Sequence, residues 1–479
     1  MHLSNNQKLS VGISLDAKGA RIALINPPLL HGVARHITGI PIGIGYLAAV
    51  AEKNGCDVKV IDCLPLEMDF DQMKREVTSF DPDIIGITSM TATFPSAIQA
   101  AHTLKQSCPE ALTVLGGPHV SFMDTQTLEE YPDVDVVVRK EGEETLLELV
   151  DYVAKEKKLD QVAGITFRKN GDIIQTPDRP FIENIDNLPY PAYHLFPLEK
   201  YQPGRSLFKK NILPIMTSRG CPFQCSFCLA SKMVGKSFRA RSPKNIVNEL
   251  EWLKNEHGAE AFSFLDDTLT LDKTRCHKLF DLMQKRKVNL PWNCQTRTDQ
   301  ISQDTLIKMK KAGCKFVSFG VETGSPELLR AMGKGTTVQQ NENAVRWAKK
   351  AGLVVAISMI IGYPGETAET LKESFDFINR VKPNMVYLCN PAPYPGTPLY
   401  GHVKDLGWKM SKDWSQYDTA DFAIENPDLP NDYLKKIRNE FFDNFYSPYY
   451  IIRHFCKNNL YSNLLARNAL SHYFWRMKS

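Results

Sequence analysis

The chain has 479 residues, 43% of them hydrophobic, which is too long for one core and too apolar for a disordered chain. Its 58 basic and 54 acidic residues leave a net charge of +4, too weak a bias to predict a nucleic-acid partner. The first nineteen residues are polar, without the apolar core of a signal peptide. The most apolar stretch, Leu353 to Ile361, is far short of the ~20 residues that span a bilayer, so a cytoplasmic protein is expected.

The first third alternates short apolar runs with amphipathic ones. Ile22–Ile25, Val58–Ile61, Ile84–Thr88, Thr113–Gly116 and Val134–Val138 read as strands, with helical patterns between them. Five such units with continuous apolar strands predict a parallel, doubly wound, Rossmann-like sheet over 20–155. Ligands of such sheets bind at the carboxyl ends of the strands. Here those ends carry Asn26, Thr88-Ser89, Gly116-Gly117-Pro118-His119 and Glu141-Gly142-Glu143. Residues 156–211 contain six prolines, from Pro177 to Pro203, and read as a linker that packs on its neighbours.

A second βα series begins near Ile212. Its strand candidates are 212–217, 261–265, 292–295, 316–321, 354–361 and 385–390. Ser242-Pro243 starts one intervening helix with an N-cap and a first-turn proline. Six units over 212–405 predict a partial (β/α)6 barrel with its chemistry on the loops after the strands. Residues 406–479 lose this rhythm and read as a helical C-terminal region.

Eleven cysteines, an odd number, argue for thiols rather than a disulfide framework. Three stand together after the first strand of the second series, in Cys221-Pro222-Phe223-Gln224-Cys225-Ser226-Phe227-Cys228. Iron–sulfur clusters prefer thiolates, and a 4Fe–4S cubane usually takes four. Three protein thiolates leave one iron open, a vacancy that can chelate the amino and carboxylate groups of S-adenosylmethionine. The alternatives are a zinc site, which needs a fourth ligand at suitable spacing, or three buried cysteines.

The CxxxCxxC spacing with Phe227 before the last cysteine resembles the signature of radical S-adenosylmethionine (SAM) enzymes, over about 212–400. The resemblance implies that Cys221, Cys225 and Cys228 hold the cluster. It places Asp266 and Asp267 near the methionine amino group, Gly320 and Glu322 at the ribose, and Gly362 in a glycine-rich turn on the adenine side. It also implies reductive cleavage of SAM to a 5′-deoxyadenosyl radical, fed by a reducing partner such as ferredoxin or flavodoxin.

A doubly wound sheet before such a barrel is similar to the cobalamin-binding domain of one branch of these enzymes. The resemblance implies corrinoid contacts from Asn26, Thr88, Ser89, Gly116, Gly117, His119 and Glu141. The Asp-x-His-x-x-Gly motif that supplies a cobalt-ligating histidine is absent, and His31-Gly32 lacks its spacing. A corrinoid without a protein histidine on cobalt is therefore implied. The layout is similar to magnesium-protoporphyrin ester cyclases, archaeal tetraether ring synthases and hopanoid-pathway radical enzymes. Hydrogen abstraction from an unactivated carbon, followed by methylation or ring formation, is the expected reaction. Two alternatives stand beside it: a radical SAM enzyme whose first domain is only a substrate platform, and a non-catalytic iron–sulfur protein.

Residues 431–479 hold twelve aromatics, eight Lys or Arg and three Asp or Glu. Such a segment suits either helices that cap the barrel with buried rings or an amphipathic surface meeting a lipid or membrane-surface substrate.

Overall fold

The computed structural model describes residues 19–30, 39–201, 211–456 and 465–466. His31-Gly32, and Tyr461, Tyr473, Phe474 and Trp475 of the aromatic segment, lie outside the described residues.

Five parallel strands open the chain: β1 (Arg21–Asn26), β2 (Asp57–Asp62), β3 (Ile84–Thr88), β4 (Leu112–Gly116) and β5 (Val136–Val138). Both faces of the inner strands β1, β3, β4 and β5 are buried, which is why they are mainly apolar, whereas the edge strand β2 mixes Asp57 and Lys59 with apolar residues. Along β1, Ile22 and Leu24 pack with helices Ile42–Lys53 and Glu143–Val153, while Ala23 and Ile25 pack with helices Phe70–Phe80 and Phe94–Ser107.

The sheet does not stop at 155. β6 (Ile165–Lys169) and β7 (Asp172–Gln175) add an antiparallel hairpin, giving a seven-stranded order β2-β1-β3-β4-β5-β6-β7. The expected linker therefore begins with sheet. The turn between these strands is Asn170-Gly171, both at positive φ (53° and 92°), the geometry of a two-residue hairpin turn. Only the stretch after Gln175 is connecting chain, and it straps the two units together: Ala192 N–H donates to Gly45 O at 2.9 Å and Tyr193 Oη to Pro214 O at 2.6 Å.

The second unit is a six-stranded parallel sheet built from β8 (Ile212–Ile215), β11 (Ala261–Phe264), β12 (Trp292–Arg297), β13 (Cys314–Glu322), β14 (Val354–Ile360) and β15 (Met385–Cys389). A two-residue pair, β9 (Ser218–Arg219) with β10 (Arg239–Ala240), stands just after β8. Strands of the six follow sequence order, and the first and last are edges, so the barrel is open. Phe262, Trp292, Phe319, Ile357 and Leu388 bury the outer face against the helices. The alternate positions Ser263, Gln295, Ser318, Ser358 and Tyr387 face the lumen.

Helices Asn431–Phe445 and Pro448–Phe455 close the described C-terminal part. Phe441 stacks on Phe375 at 5.0 Å and Tyr450 Oη donates to Asn384 O at 2.6 Å, so the inner rings cap the barrel. No described helix is long and apolar enough to cross a membrane.

Candidate functional site

The three cysteines sit on the loop that follows β9. Gly220, at φ 97°, makes the bend; a Cβ there would lie 2.0 Å from Ser237 O, so no other residue fits. The loop is then pinned from across the barrel. Ser226 donates through N–H (2.9 Å) and Oγ (3.1 Å) to Met332 O, and its Oγ also pairs with Tyr363 Oη at 2.6 Å.

Cys221, Cys225 and Cys228 are close enough that charge on one disfavours charge on another. Burial, then this mutual repulsion and the nearby Asp267, hold the Cys221 thiol above its usual range and push Cys228 up to about 11. Among the described residues, no three Cys, His, Asp or Glu side chains converge on a point as they would round one metal ion. Zinc draws all its ligands onto one centre, whereas a cubane takes each cysteine on a different iron. Three clustered thiols, of which Cys221 and Cys228 are disfavoured as bare thiolates, fit a cluster that binds and neutralises them as thiolate ligands.

The other barrel residues sort into free and occupied groups. Asp266 is buried and accepts hydrogen bonds from Thr217 Oγ1 at 2.6 Å and from Ser218 Oγ, so it pins β8 to β11 and is not free for a ligand. Asp267 is open to solvent yet recessed beside the cysteines; its recess, then Asp266, raise its pKa to about 6. Glu322 ends β13 at a register shift with φ 69°, a left-handed conformation costing about 1–3 kcal/mol in a non-glycine residue. Its Oε1 lies 2.6 Å from Lys334 Nζ, both side chains being buried. Gly320 leaves the space that the pair fills: a Cβ there would stand 2.4 Å from Glu322 Oε1. Lys334 Nζ also lies 5.9 Å from the centre of the Phe227 ring. Gly362 turns the chain after β14 at φ 86°, and its N–H donates to Glu366.

At the carboxyl ends of the first sheet lies an apolar slot of about 280 Å³, between the sheet and helices Ile42–Lys53 and Glu143–Val153. Thr88, Gly116, Gly117 and Glu141 line it. Gly117, at φ 106°, could not carry a Cβ, which would stand 2.5 Å from Ser89 O. No histidine lines the slot among the described residues. Ser89 is beside it but fully buried, its Oγ without a hydrogen-bond partner among the described residues.

Two expected contacts are placed elsewhere. Asn26 does not line the slot, since its amide donates to Asp62 Oδ1 at 2.9 Å. His119 lies between the rings of Phe94 (4.2 Å) and Trp414 (4.7 Å), joining the first unit to the C-terminal region. Burial lowers its pKa to about 4. An unfolded histidine titrates near 6.5, so on acidification the unfolded chain takes up a proton that the folded one refuses. Stability should fall as pH drops from 6.5 to 4, by up to about 3 kcal/mol, and then level off for this group. Denaturant melts at pH 7 and 4.5 should show a smaller acid loss in His119→Leu than in the parent. Equal losses would mean that the histidine does not stay neutral.

Residues of the second unit, Met216, Arg219, Met233 and Val234, also line the slot. Of these, Arg219 directly precedes Gly220-Cys221. Arg219 reaches Glu141 at 3.0 Å and Glu143 at 2.6 Å, and Arg239 reaches Glu141 at 2.9 Å, all with nearly buried side chains. Arg219, Arg239 and Lys334 were not among the expected site residues. Arg219 was within reach, since it directly precedes the motif.

A family model of the radical SAM superfamily matches residues 215–378, and one of the B12 binding domain matches residues 33–150. The chain is 35% identical to the uncharacterized methyltransferase PH0819 of Pyrococcus horikoshii, over 90% of this chain and 93% of the relative. The chain belongs to the radical SAM superfamily, in the branch that carries a B12-binding domain. It is also 31% identical to the anaerobic magnesium-protoporphyrin IX monomethyl ester cyclase of Cereibacter sphaeroides, over 95% of this chain and 72% of the cyclase. The radical SAM methyltransferase TsrM of Kitasatospora setae, solved with cobalamin and a [4Fe-4S] cluster bound, shares the fold: TM-score 0.73, 16% identity, 95% of this chain and 100% of that one. This radical SAM protein thus has both halves of the architecture expected from its motifs.

Proposed function

We propose that this protein is a cobalamin-dependent radical SAM methyltransferase acting at an unactivated carbon of a small molecule. The observation that carries the reading is the shared wall between slot and cluster loop: Arg219 lines the slot and directly precedes Gly220-Cys221. When bound, the cluster and SAM supply a carbon-centred radical and the corrinoid supplies a methyl group. The protein's own part is placement. Cys221, Cys225 and Cys228 would hold three irons and leave the fourth to SAM. Glu322, held by Lys334, would accept the ribose hydroxyls through a charge-assisted bond, Asp267 would face the methionine amino group, and the Gly362 turn would border the adenine. The absence of an Asp-x-His-x-x-Gly motif from the sequence supports a corrinoid held without a protein histidine. Methyl transfer is preferred to ring closure because PH0819, matched over 93% of its length, bears the name of an uncharacterized methyltransferase. A purely electron-carrying role would leave the strained Glu322–Lys334 pair without a purpose.

Anaerobic reconstitution tests the reading. The protein should bind hydroxocobalamin without the spectral change of histidine ligation, and should release 5′-deoxyadenosine from SAM under dithionite. Ferredoxin or flavodoxin would serve as the physiological one-electron donor. Absent corrinoid binding would reduce the first domain to a substrate platform, and absent 5′-deoxyadenosine would leave an iron–sulfur protein only.

The C-terminal helices favour a hydrophobic or membrane-surface substrate. On helix Pro448–Phe455, Tyr449, Ile452 and Phe455 are 73%, 61% and 41% exposed, along one side of the helix. Residues 431–479 carry eight basic and three acidic residues, 8 − 3 = +5. Anionic liposomes should pellet the protein at low salt and release it as salt rises. A protein that stays in the supernatant points to a soluble substrate.

A further inference from the structure

Arg297 ends β12 facing the cluster loop and is 5% exposed. One Nη1 hydrogen is directed at Cys225 Sγ, 3.5 Å away. The guanidinium carbon stands 3.6 Å from the centre of the Phe223 ring, between the first and second cysteines. Its remaining edge is fixed from behind: Nε and Nη2 reach the two Asp299 carboxylate oxygens at 2.9 and 3.0 Å, and Nη2 also donates to Lys334 O at 2.6 Å. The side chain is therefore held by a fork, a stacked ring and a carbonyl, with Nη1 left to face a cysteine sulfur. A buried arginine so constrained cannot move away when charge at that sulfur changes.

We propose that Arg297 is a positioning residue that sets the reduction potential of the cluster through its contact with Cys225. The proposal rests on the reading of Cys221, Cys225 and Cys228 as cluster ligands. A 4Fe–4S core of charge 2+ with three thiolates carries a net charge of −1, and one added electron makes it −2. A fixed cation and an N–H···S hydrogen bond stabilise the second state more than the first, so they make the cluster easier to reduce. Asp299 opposes this effect, because its carboxylate partly neutralises the guanidinium from the far side. Two neighbouring residues thus push the potential in opposite directions, which a purely structural clamp would not do.

The test is the midpoint potential of the reconstituted cluster, followed by electron paramagnetic resonance in the full chain at matched iron and sulfide content. Arg297→Gln should move the midpoint to a more negative value and Asp299→Asn to a more positive one, with Arg297→Lys between Arg297→Gln and the parent. A loaded Arg297→Gln cluster with an unchanged or more positive midpoint overturns the proposal. If Arg297→Gln does not hold a cluster, Asp299→Asn decides: a positive shift supports the proposal, and no shift or a negative one overturns it. Loss of the cluster from both variants would make the pair a fold clamp alone and also overturns it. If the parent protein itself takes up no cluster, the reading of the three cysteines fails first and separately.

Discussion

Replacing Cys221, Cys225 and Cys228 together by Ala should give a colourless protein that retains its fold and releases no 5′-deoxyadenosine. The fold should survive because the loop is held by groups other than the thiols: the Gly220 bend, the two Ser226 bonds to Met332 O and the Tyr363 hydroxyl. The chemistry should vanish completely because each thiolate would supply a bond to a different iron, and nothing beside them would stand in. Asp267 is the nearest acid, and the rise of its pKa to about 6 reflects a recessed carboxylate next to Asp266, not a ligand made ready for iron. Iron and sulfide content, the visible absorbance and 5′-deoxyadenosine under dithionite are the measurements, with far-ultraviolet circular dichroism as the fold control. A triple variant that still cleaves SAM would remove the cluster from this loop.

All six barrel strands and the cluster motif were legible in the chain because each is a local pattern: an apolar run, a cap, a fixed spacing. What was not legible depended on which of several possible partners a side chain takes. Asp266 and Asn26 stand at strand ends where a ligand contact is reasonable, yet both are used up holding the fold, one by Thr217 and Ser218 and the other by Asp62. His119 follows Gly117, whose positive φ redirects the chain; its ring then packs between Phe94 and Trp414 and does not reach the slot. Lys334 and Arg297 meet the site from other segments, twelve residues after Glu322 and 72 after Cys225, and no local pattern announces such pairings. The hairpin over 165–175 is a different case. Its Asn170-Gly171 signal was present in the chain, but the prolines that follow it drew the whole stretch into a linker.

Arg219→Ala should destabilise the protein by about 3–5 kcal/mol, the usual cost of removing one member of a buried ion pair. Burial alone would lower the arginine's pKa, yet Glu143 and Glu141 outweigh it and hold the group above its ordinary value. Glu141 responds in kind: its burial is offset by Arg239 and Arg219, and its pKa falls below the usual carboxylate range. Removing Arg219 leaves Glu141 with Arg239 but takes from Glu143 its 2.6 Å partner, with the carboxylate 6% exposed. The damage should fall on the contact between the two units, because Glu141 and Glu143 follow β5 of the first sheet and Arg219 belongs to β9 beside the barrel. Urea melts should therefore show an earlier transition in the variant, and limited proteolysis should cut first in the connecting chain after Gln175. The double variant Arg219→Met, Glu143→Gln removes both charges at once and should recover most of the loss, since no buried charge is then left unpaired. An Arg219→Ala protein within about 1 kcal/mol of the parent would mean that water reaches these carboxylates, as it does in surface ion pairs. The slot and the cluster loop would then lack the rigid wall that Arg219 gives them here.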